Sequence, residues 1–370
     1  MSSISYLGMN VVLAALHRVY FARALYAAAL LGIPPVLENE GSMSGEELAA
    51  RLDVNQEYLE RMMRALIAQG FFIVEDGKYT MNKMAATLLA DDDNSVVNWL
   101  LFIGSNWEAM SEPEDMIAEG KSGFELSIGK PIYEYFSQNP VLDHFFAEGM
   151  AKWTERKAFQ IARSEDFSGY RRFVDIGAGQ GDLIVRILKD NPDANAVLFD
   201  RSTPLHKAEE KINEEELSSR CIFVVGDFRK EGEIPKGGDA YLMKTIIRDW
   251  DDENALQILK NCHEAIGDAP LFIIDSIYDF DPSQEPVASF VDLELMFLFG
   301  GKIRTREQWD NLLHDAGFSI YGIRRIPETA LNLIYVRRDS GQTPRSRKYD
   351  SPADRGKREA LRDRKTRGHG

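Results

Sequence analysis

Residues 171–200 constrain the fold of this chain more than any other stretch. An apolar run, Phe173–Ile176, leads into the glycine-rich segment Gly177-Ala178-Gly179-Gln180-Gly181, and a helical apolar pattern follows. A second apolar run ends in Asp200, 19 residues after Gly181. Such a strand–turn–helix–strand unit is typical of nucleotide binding, because the turn lets a ligand approach the backbone and the acid binds a ribose diol. The stretch therefore predicts an α/β protein with a doubly wound, Rossmann-like sheet.

The glycine spacing distinguishes between cofactors. A dinucleotide fingerprint has the spacing G-x-G-x-x-G, which sets a helix N-terminus against a pyrophosphate. Here the spacing is G-x-G-x-G, and Asp175 precedes the turn. An acid at that place suits a cationic or amine-bearing ligand better than a pyrophosphate. The segment resembles the S-adenosylmethionine loop of class I methyltransferases, which implies S-adenosyl-L-methionine as the cofactor rather than a nicotinamide dinucleotide.

Composition and charge indicate a soluble cytoplasmic protein. A length of 370 residues favours two domains with appendages, and a net charge of −15 argues against nucleic acid as a partner. The two cysteines, Cys221 and Cys262, have no metal-binding spacing, so we expect a reduced compartment and no metal site. The apolar stretch 11–33 is interrupted by charged residues and is predicted to be an amphipathic helix rather than a signal peptide or membrane span.

The first predicted domain, residues 1–93, combines helices with a winged-helix module. Residues 1–35 are apolar on more than one helical face, which favours burial against a second copy of the chain. Residues 43–82 show a capping box at Ser44, a second helix and a short hairpin. The second helix carries acids as well as arginines, so dimerisation or a pocket wall is favoured over DNA binding.

Three further segments are predicted. Residues 94–165 are helical and rich in aromatic residues, and we expect this linker to line a substrate pocket. Residues 166–337 form the cofactor-binding domain with seven strands, the last two antiparallel because the loop 327–332 is too short for a parallel crossover. Residues 338–370 hold eleven Lys or Arg and five acids with almost no aliphatic residues, which predicts a disordered basic tail.

Several motifs in order identify a family. The glycine loop is followed by Gly226-Asp227-Phe228, by Lys244 at a strand end, by Arg248-Asp249-Trp250-Asp251-Asp252-Glu253 and by Gly300-Gly301-Lys302-Ile303-Arg304-Thr305. Over residues 10–337 the chain resembles the S-adenosylmethionine-dependent small-molecule O-methyltransferases of plant and bacterial secondary metabolism. The resemblance implies a homodimer with interlocking N-terminal helices and a small aromatic or polyketide-type substrate.

The resemblance also implies roles for single residues. Gly177, Gly179 and Gly181, with Asp175 before them, would hold the methionine part of the cofactor, and Asp200 the ribose. Asp227 and Phe228 would flank the adenine, Lys244 would contact the cofactor, and Trp250 would pack near the adenine or simply belong to the core.

The chain departs from the family pattern at the catalytic base. Arg248 stands where the family has a histidine, and Ile303 stands where it has the glutamate that orients that histidine. Histidine accepts a proton near neutral pH, whereas arginine keeps its charge and acts only as a donor. Asp275, at the end of the fifth strand, stands where the family has a second acid and is the remaining member of that set, and Asp249 is a further catalytic candidate. His144 on the aromatic segment is a candidate second donor, although such a histidine is more often structural.

Two functions are consistent with this departure. In the first, methyl transfer continues by proximity, and Arg248 pairs with a substrate oxygen that is already ionised. In the second, the cofactor is bound without losing its methyl group, as in pericyclases, hydroxylases and decarboxylases of this fold, and Arg248 acts electrostatically. A dimeric binding protein without catalysis is the third alternative.

Overall fold

The computed structural model describes residues 3–278 and 286–339. These residues form two compact units. The helical unit comprises the described residues up to Trp107 and those of Asn139–Lys152. The sheet unit comprises Glu108–Gln138 and the described residues from Trp153 onward. The predicted disordered tail lies outside the described residues beyond Asp339.

The helical unit contains the predicted helix pair and winged-helix module. Ser44 caps a helix as expected, because its hydroxyl accepts from Glu47 N at 3.1 Å while the Glu47 carboxylate accepts from Ser44 N at 2.7 Å. Phe72 has a left-handed φ of 63°, and the first strand of the hairpin begins after it, at Ile73. The elements of this unit are α1 (Ser3–Leu30), α2 (Ile33–Glu40), α3 (Gly45–Leu52), α4 (Gln56–Ala68), β1 (Ile73–Glu75), β2 (Lys78–Thr80), α5 (Lys83–Ala86) and α6 (Val97–Ser105).

Helix α1 keeps much of its apolar surface uncovered within one chain. Val11, Leu16 and Tyr20 are 63%, 53% and 74% exposed. By length and composition the segment Gly8–Leu30 would be able to cross a bilayer, which for a single helix near the N-terminus is weak evidence of a membrane span. A helix that is apolar on several sides needs cover from outside its own chain.

The sheet unit is built on seven strands in the order β5-β4-β3-β6-β7-β9-β8. The first five strands in this order are parallel, and β9 pairs antiparallel with both β7 and β8, which confirms the prediction for the last two strands. The helices are α7 (Pro113–Glu119), α8 (Gly123–Ile128), α9 (Ile132–Phe136), α10 (Pro140–Ala162, in the helical unit up to Lys152), α11 (Asp182–Asp190), α12 (Ser202–Glu214), α13 (Asp252–Ile266), α14 (Pro286–Leu298) and α15 (Arg306–Asp315). The strands are β3 (Arg172–Ile176), β4 (Asn195–Asp200), β5 (Cys221–Val225), β6 (Ala240–Lys244), β7 (Leu271–Asp275), β8 (Phe318–Arg325) and β9 (Asn332–Arg338).

The sheet separates two apolar cores. Val174 and Ile176 of β3 pack in one core and Phe173 in the other, as expected where successive side chains of a strand point to opposite faces. Four neighbouring parallel strands, β4, β3, β6 and β7, end at Asp200, Ile176, Lys244 and Asp275. Polar and charged residues therefore gather at the carboxyl edge of the sheet, where open α/β sheets bind ligands.

Candidate functional site

The glycine loop after β3 has the backbone that only glycine adopts readily. Gly177, Gly179 and Gly181 have φ values of 71°, 59° and 81°. A Cβ on Gly177 would lie 2.3 Å from Ile246 Cδ1, whereas a Cβ on Gly179 would meet no atom within 4 Å. The loop is thus closely packed at its start and open at its middle, which leaves backbone available to a ligand.

Asp200 connects the end of β4 to this loop. Its Oδ2 accepts a hydrogen bond from Gly179 N at 2.8 Å, and its Oδ1 accepts from Arg201 N at 2.7 Å. The carboxylate therefore lies beside the open part of the glycine loop, as a ribose-binding acid must.

Asp175 is a buried acid without a hydrogen-bond donor. Its side chain lies on β3, the residue is 2% exposed, and no described residue donates to its carboxylate. Burial raises the pKa of Asp175 to about 7, and nearby Lys244 opposes the rise. A carboxylate in this position is suited to a cationic ligand.

Lys244 ends β6 beside a strained residue. Thr245 has a φ of 52°, which is rare for a β-branched side chain, and its N–H donates to Ile274 O at 2.8 Å. The Lys244 amine donates to the Thr245 hydroxyl at 3.0 Å. Burial and neighbouring Arg248 lower the pKa of Lys244 to about 8. Backbone strain of this kind is common at functional sites.

Arg248 lies in a short 3-10 turn, Ile247–Asp249, and it interacts electrostatically with Asp249, Asp275 and Lys244. Its side chain is 17% exposed, and its Nε lies 3.8 Å from Asp249 Oδ1 without a hydrogen-bond partner. Asp275 is fully buried, and its Oδ2 also lacks a partner. Burial raises the pKa of Asp275 and that of Asp249, the latter to about 6, while Arg248 opposes both shifts.

Tyr133 and Trp250 fix the position of Asp249. The Tyr133 hydroxyl donates to Asp249 Oδ2 at 2.5 Å, and its ring stacks on Trp250 with centroids 5.2 Å apart. Phe228 meets the same Trp250 ring edge-on at 6.1 Å. Trp250 is 9% exposed and belongs to the core, so its structural role is evident. Asp227 pairs with Arg229 at 2.7 Å.

The segment 300–305 packs against the turn that contains Arg248 and forms hydrogen bonds with its backbone. Lys302 N donates to Arg248 O at 2.8 Å, and a Cβ on Gly301 would lie 2.0 Å from that same oxygen. Arg304 is 1% exposed and donates to Ile247 O and Trp250 O, both at 2.9 Å. The motif therefore holds the turn in place.

Ile303 occupies an apolar environment. It is 5% exposed and packs with Ala288 and Leu295 of α14, while its N–H donates to Asp292 at 2.6 Å. The position where the resemblance expects an orienting glutamate is thus adapted to an aliphatic side chain.

The structure gathers the predicted residues at the sheet edge but assigns His144 to the helical unit. His144 is on α10, its side chain is 54% exposed, and its Nδ1 lies 4.0 Å from Glu148. The described histidines of the sheet unit have other neighbours than Arg248, Asp249 and Asp275: His206 lies near Glu210, His263 packs on Phe318, and His314 lies near Asp315. Among residues 3–278 and 286–339 no group of three or more metal-ligating side chains is present.

Two residues of this edge were missed by sequence reasoning. They are Tyr133 of α9 and Lys157 of α10. The pKa of Lys157 is lowered to about 8 by burial and by nearby Arg248 and Lys244. No local pattern signals either residue, because both come from helices far from the strand ends in sequence.

Comparison with known proteins gives two family matches. An O-methyltransferase domain matches residues 110–319, and an O-methyltransferase dimerisation domain matches residues 13–91. Together they cover the N-terminal helices and the sheet unit as far as the start of β8.

Relatives and solved structures agree with these matches. The chain is 32% identical to a phenazine-1-carboxylate N-methyltransferase of Pseudomonas aeruginosa, over 85% of this chain and 93% of the relative. The structure of mitomycin 7-O-methyltransferase MmcR superposes with a TM-score of 0.84 at 28% identity, covering 91% of this chain and 99% of that one. The O-methyltransferase NcsB1, solved with S-adenosyl-L-homocysteine and 1,4-dihydroxy-2-naphthoic acid, gives a TM-score of 0.76 at 25% identity over 86% and 96% of the two chains.

Proposed function

The chain belongs to the O-methyltransferase family, and we propose from this that it methylates an acidic oxygen of a small aromatic or polyketide-type metabolite. It is an enzyme of secondary metabolism whose cofactor is S-adenosyl-L-methionine. The observation that carries the proposed reaction is the largely buried Arg248 guanidinium at the carboxyl edge of the sheet, where the resemblance expects a base.

The residues at that edge fit the cofactor. The open middle of the glycine loop, Asp200 beside it and the unpartnered Asp175 carboxylate suit an amine-bearing nucleoside. We infer that Asp227 and Phe228 flank its adenine and that Lys244 contacts it. When bound, the cofactor supplies a methyl group that is already activated by a sulfonium. The protein therefore has to position and charge the acceptor rather than activate the donor.

Arg248 would make ionisation of the acceptor favourable. A guanidinium cannot remove a proton, but it stabilises an oxyanion next to it, most strongly where water is excluded. Asp249 and Asp275 interact electrostatically with this guanidinium. Tyr133 and Arg304 donate hydrogen bonds that stabilise the turn on which Arg248 lies. The acceptor would arrive ionised, or release its proton to solvent on binding, so that no basic side chain is required.

The N-terminal helices have a separate role. We infer that α1 packs against α1 of a second copy, because its apolar surface is uncovered within one chain and because a dimerisation domain matches residues 13–91. In this proposal residues 1–93 form the dimerisation domain, 94–165 the pocket-lining linker and 166–337 the catalytic domain.

One observation favours a second function: among the described residues no histidine lies beside Arg248, Asp249 and Asp275. In that case the cofactor stays intact, and Arg248 polarises a substrate carbonyl. Incubation of the purified dimer with methyl-labelled S-adenosylmethionine and a panel of hydroxylated aromatic acids separates the two. Label in the product supports methyl transfer, whereas conversion of a substrate without label contradicts it.

The Asp200→Ala variant is expected to bind S-adenosylhomocysteine more weakly by about 1–3 kcal/mol, because the ribose loses a charged acceptor. The loop also loses its bond at Gly179 N. Calorimetric titration measures the change, with exposed Asp193→Asn as the control. Equal affinities of the Asp200→Ala and wild-type proteins, or a wild type that binds NAD alone, would be evidence against this assignment.

The Asp175→Asn variant is expected to be more stable than wild type at about pH 8, by up to about 4 kcal/mol, since each of the roughly three units by which the pKa is raised corresponds to about 1.4 kcal/mol. Because the pKa of Asp175 is raised to about 7, the folded protein retains a proton that the unfolded chain releases, and stability falls as the pH rises from about 4 to 7. The variant lacks this loss, although it should bind S-adenosylhomocysteine more weakly. Urea unfolding across this pH range tests the expectation, and a variant that is less stable than wild type at pH 8 contradicts it.

A further inference from the structure

The loop after β5 holds the backbone of Asp227 in a fixed position. The Asp227 N–H donates to Glu233 Oε2 at 2.7 Å, and Lys230 N donates to Asp227 O at 2.9 Å. The carbonyl oxygen of Phe228 accepts from the side chain of Asn261, a residue of α13 that is 4% exposed, at 2.9 Å. The main chain around the acid is therefore fixed by side chains from the same loop and from α13.

Arg229 fixes the Asp227 carboxylate itself. Its Nε donates to Asp227 Oδ1 at 2.9 Å, its Nη2 donates to Oδ2 at 2.7 Å, and its backbone N–H donates to Oδ1 at 3.0 Å. Oδ1 thus accepts two hydrogen bonds and Oδ2 accepts one. Since each carboxylate oxygen accepts about two, the described residues leave one acceptor position open, on Oδ2.

The Trp250 ring supports the Arg229 side chain. The guanidinium carbon lies 4.9 Å from the centroid of that ring, within the range of a cation–π contact. Trp250 is 9% exposed and stacks on Tyr133 with centroids 5.2 Å apart, so the ring is itself held in the core. A planar fork of donors that rests on such a ring sets the plane of the carboxylate it binds.

The charge state of Asp227 agrees with this arrangement. Burial alone would raise the pKa of Asp227, but the hydrogen bonds and the charge of Arg229 hold it below its ordinary value. The carboxylate is therefore ionised at neutral pH and can only accept hydrogen bonds. An oriented carboxylate with one open acceptor position favours an N–H donor and disfavours an oxygen atom at the same place.

We propose that Arg229 is a positioning residue that turns the Asp227 carboxylate toward the 6-amino group of the cofactor's adenine, so that the enzyme distinguishes a 6-amino purine from a 6-oxo purine. This inference rests on the proposed function, in which Asp227 and Phe228 flank the adenine, and adds to it how the base is selected. Adenine presents N–H donors at position 6, whereas hypoxanthine presents a carbonyl oxygen. Without Arg229 the carboxylate would turn about its side-chain bonds, and the distinction would weaken.

The test compares S-adenosylhomocysteine with S-inosylhomocysteine, in which a carbonyl replaces the 6-amino group. Calorimetric titration of the full-length protein gives the ratio of the two affinities, and a change in folding stability affects both ligands alike. We expect the wild type to prefer S-adenosylhomocysteine by about 10- to 100-fold, the range for a hydrogen bond to a charged group. Equal affinities of the wild type for the two compounds would overturn the proposal.

Substitutions of Arg229 assign the preference to its fork of donors. Arg229→Met should lower the preference to about threefold or less, because the carboxylate keeps its charge but loses its fixed orientation. Arg229→Lys should retain only part of it, since an ammonium group cannot match both carboxylate oxygens as a planar fork does. The wild-type preference in either variant would contradict the proposal.

Arg186→Met is the matched control. Arg186 also binds both oxygens of an acid, Asp190 on α11, at 3.2 and 2.7 Å, and its guanidinium carbon lies 5.0 Å from the centroid of the Phe159 ring. This variant loses the same kind of side chain and should keep the wild-type preference. A loss as large as that in Arg229→Met would mean that the effect does not come from Asp227, which contradicts the proposal.

A double variant separates positioning from direct contact with the base. Asp227→Ala alone should lose the preference, and adding Arg229→Met to it should change the ratio of affinities by less than about twofold, because Arg229 acts through Asp227. A further large change in the double variant would mean that Arg229 contacts the base itself, and it would overturn the positioning role.

Failure of this inference and failure of the proposed function give different results. If the wild type binds neither compound, the proposed function fails, and the inference fails with it. If the wild type binds both equally, or if Arg229→Met keeps the preference, the inference alone fails. Transfer of a labelled methyl group to an acidic acceptor is measured independently of the choice of base.

Discussion

Replacing Arg248 with alanine is expected to slow methyl transfer by about 30- to 1,000-fold, which corresponds to 2–4 kcal/mol of lost stabilisation of an oxyanion. The guanidinium is largely buried at the sheet edge and uses none of its donors on described residues, so its charge is available to an acceptor oxygen. The rate of a single turnover with methyl-labelled cofactor measures the effect, and the affinity for S-adenosylhomocysteine should stay within about twofold.

Two further substitutions at this position make the expectation sharper. Arg248→Lys should retain partial activity, because the charge remains while the fork of donors is lost. Arg248→His introduces a side chain that can remove a proton near neutral pH, so this variant should methylate acceptors that are not ionised at neutral pH. The double variant Arg248→His with Ile303→Glu should be unstable, since it puts a carboxylate among Ala288 and Leu295. Full activity of Arg248→Ala would show that Arg248 takes no part in the chemistry.

Replacing Arg304 with methionine is expected to lower the free energy of unfolding by about 3–5 kcal/mol. The guanidinium is 1% exposed and donates to Ile247 O, to Trp250 O and to Asp252 Oδ1 at 2.9, 2.9 and 2.8 Å. Methionine fills most of the volume but leaves two carbonyl oxygens without donors. Urea unfolding measures the loss, and activity should fall with it because these carbonyls belong to the turn that carries Arg248.

The control for Arg304 is Arg306→Ala. Arg306 pairs with Asp310 one helical turn away on α15, and both side chains are about half exposed. Surface pairs of this kind contribute about 0.5 kcal/mol or less. If both variants lost the same stability, the hydrogen bonds of Arg304 would not be the reason for its burial.

Local pattern was sufficient to predict most of the fold. The capping box at Ser44, the glycine loop and the alternating strands each depend on neighbours in sequence, and the structure contains all of them. The short connection before β9 also fixed its direction, because a parallel crossover needs more chain.

The sequence predicted only those residues of the candidate site that belong to a continuous sequence motif. The glycine loop and the Arg248 turn are each one continuous segment of sequence. Tyr133, in contrast, donates a hydrogen bond to Asp249, from which it is separated by 116 positions in the sequence. Helical periodicity in residues 94–165 indicates helices but does not say against what they pack. The structure divides this segment between the two units, with His144 in one and Lys157 in the other.

The place of β9 in the sheet has a consequence for how the chain is made. This strand, Asn332–Arg338, is the last described one in sequence, yet it lies between β7 and β8 and pairs with both. Until β9 is synthesised, β8 has no partner strand and β7 has an unpaired edge. The growing chain therefore exposes unpaired backbone hydrogen-bonding groups on two strands. Synthesis that stops before residue 332 would leave a species prone to aggregation. Pairing of β9 thus completes the sheet, since it joins β8 to the edge of the five parallel strands.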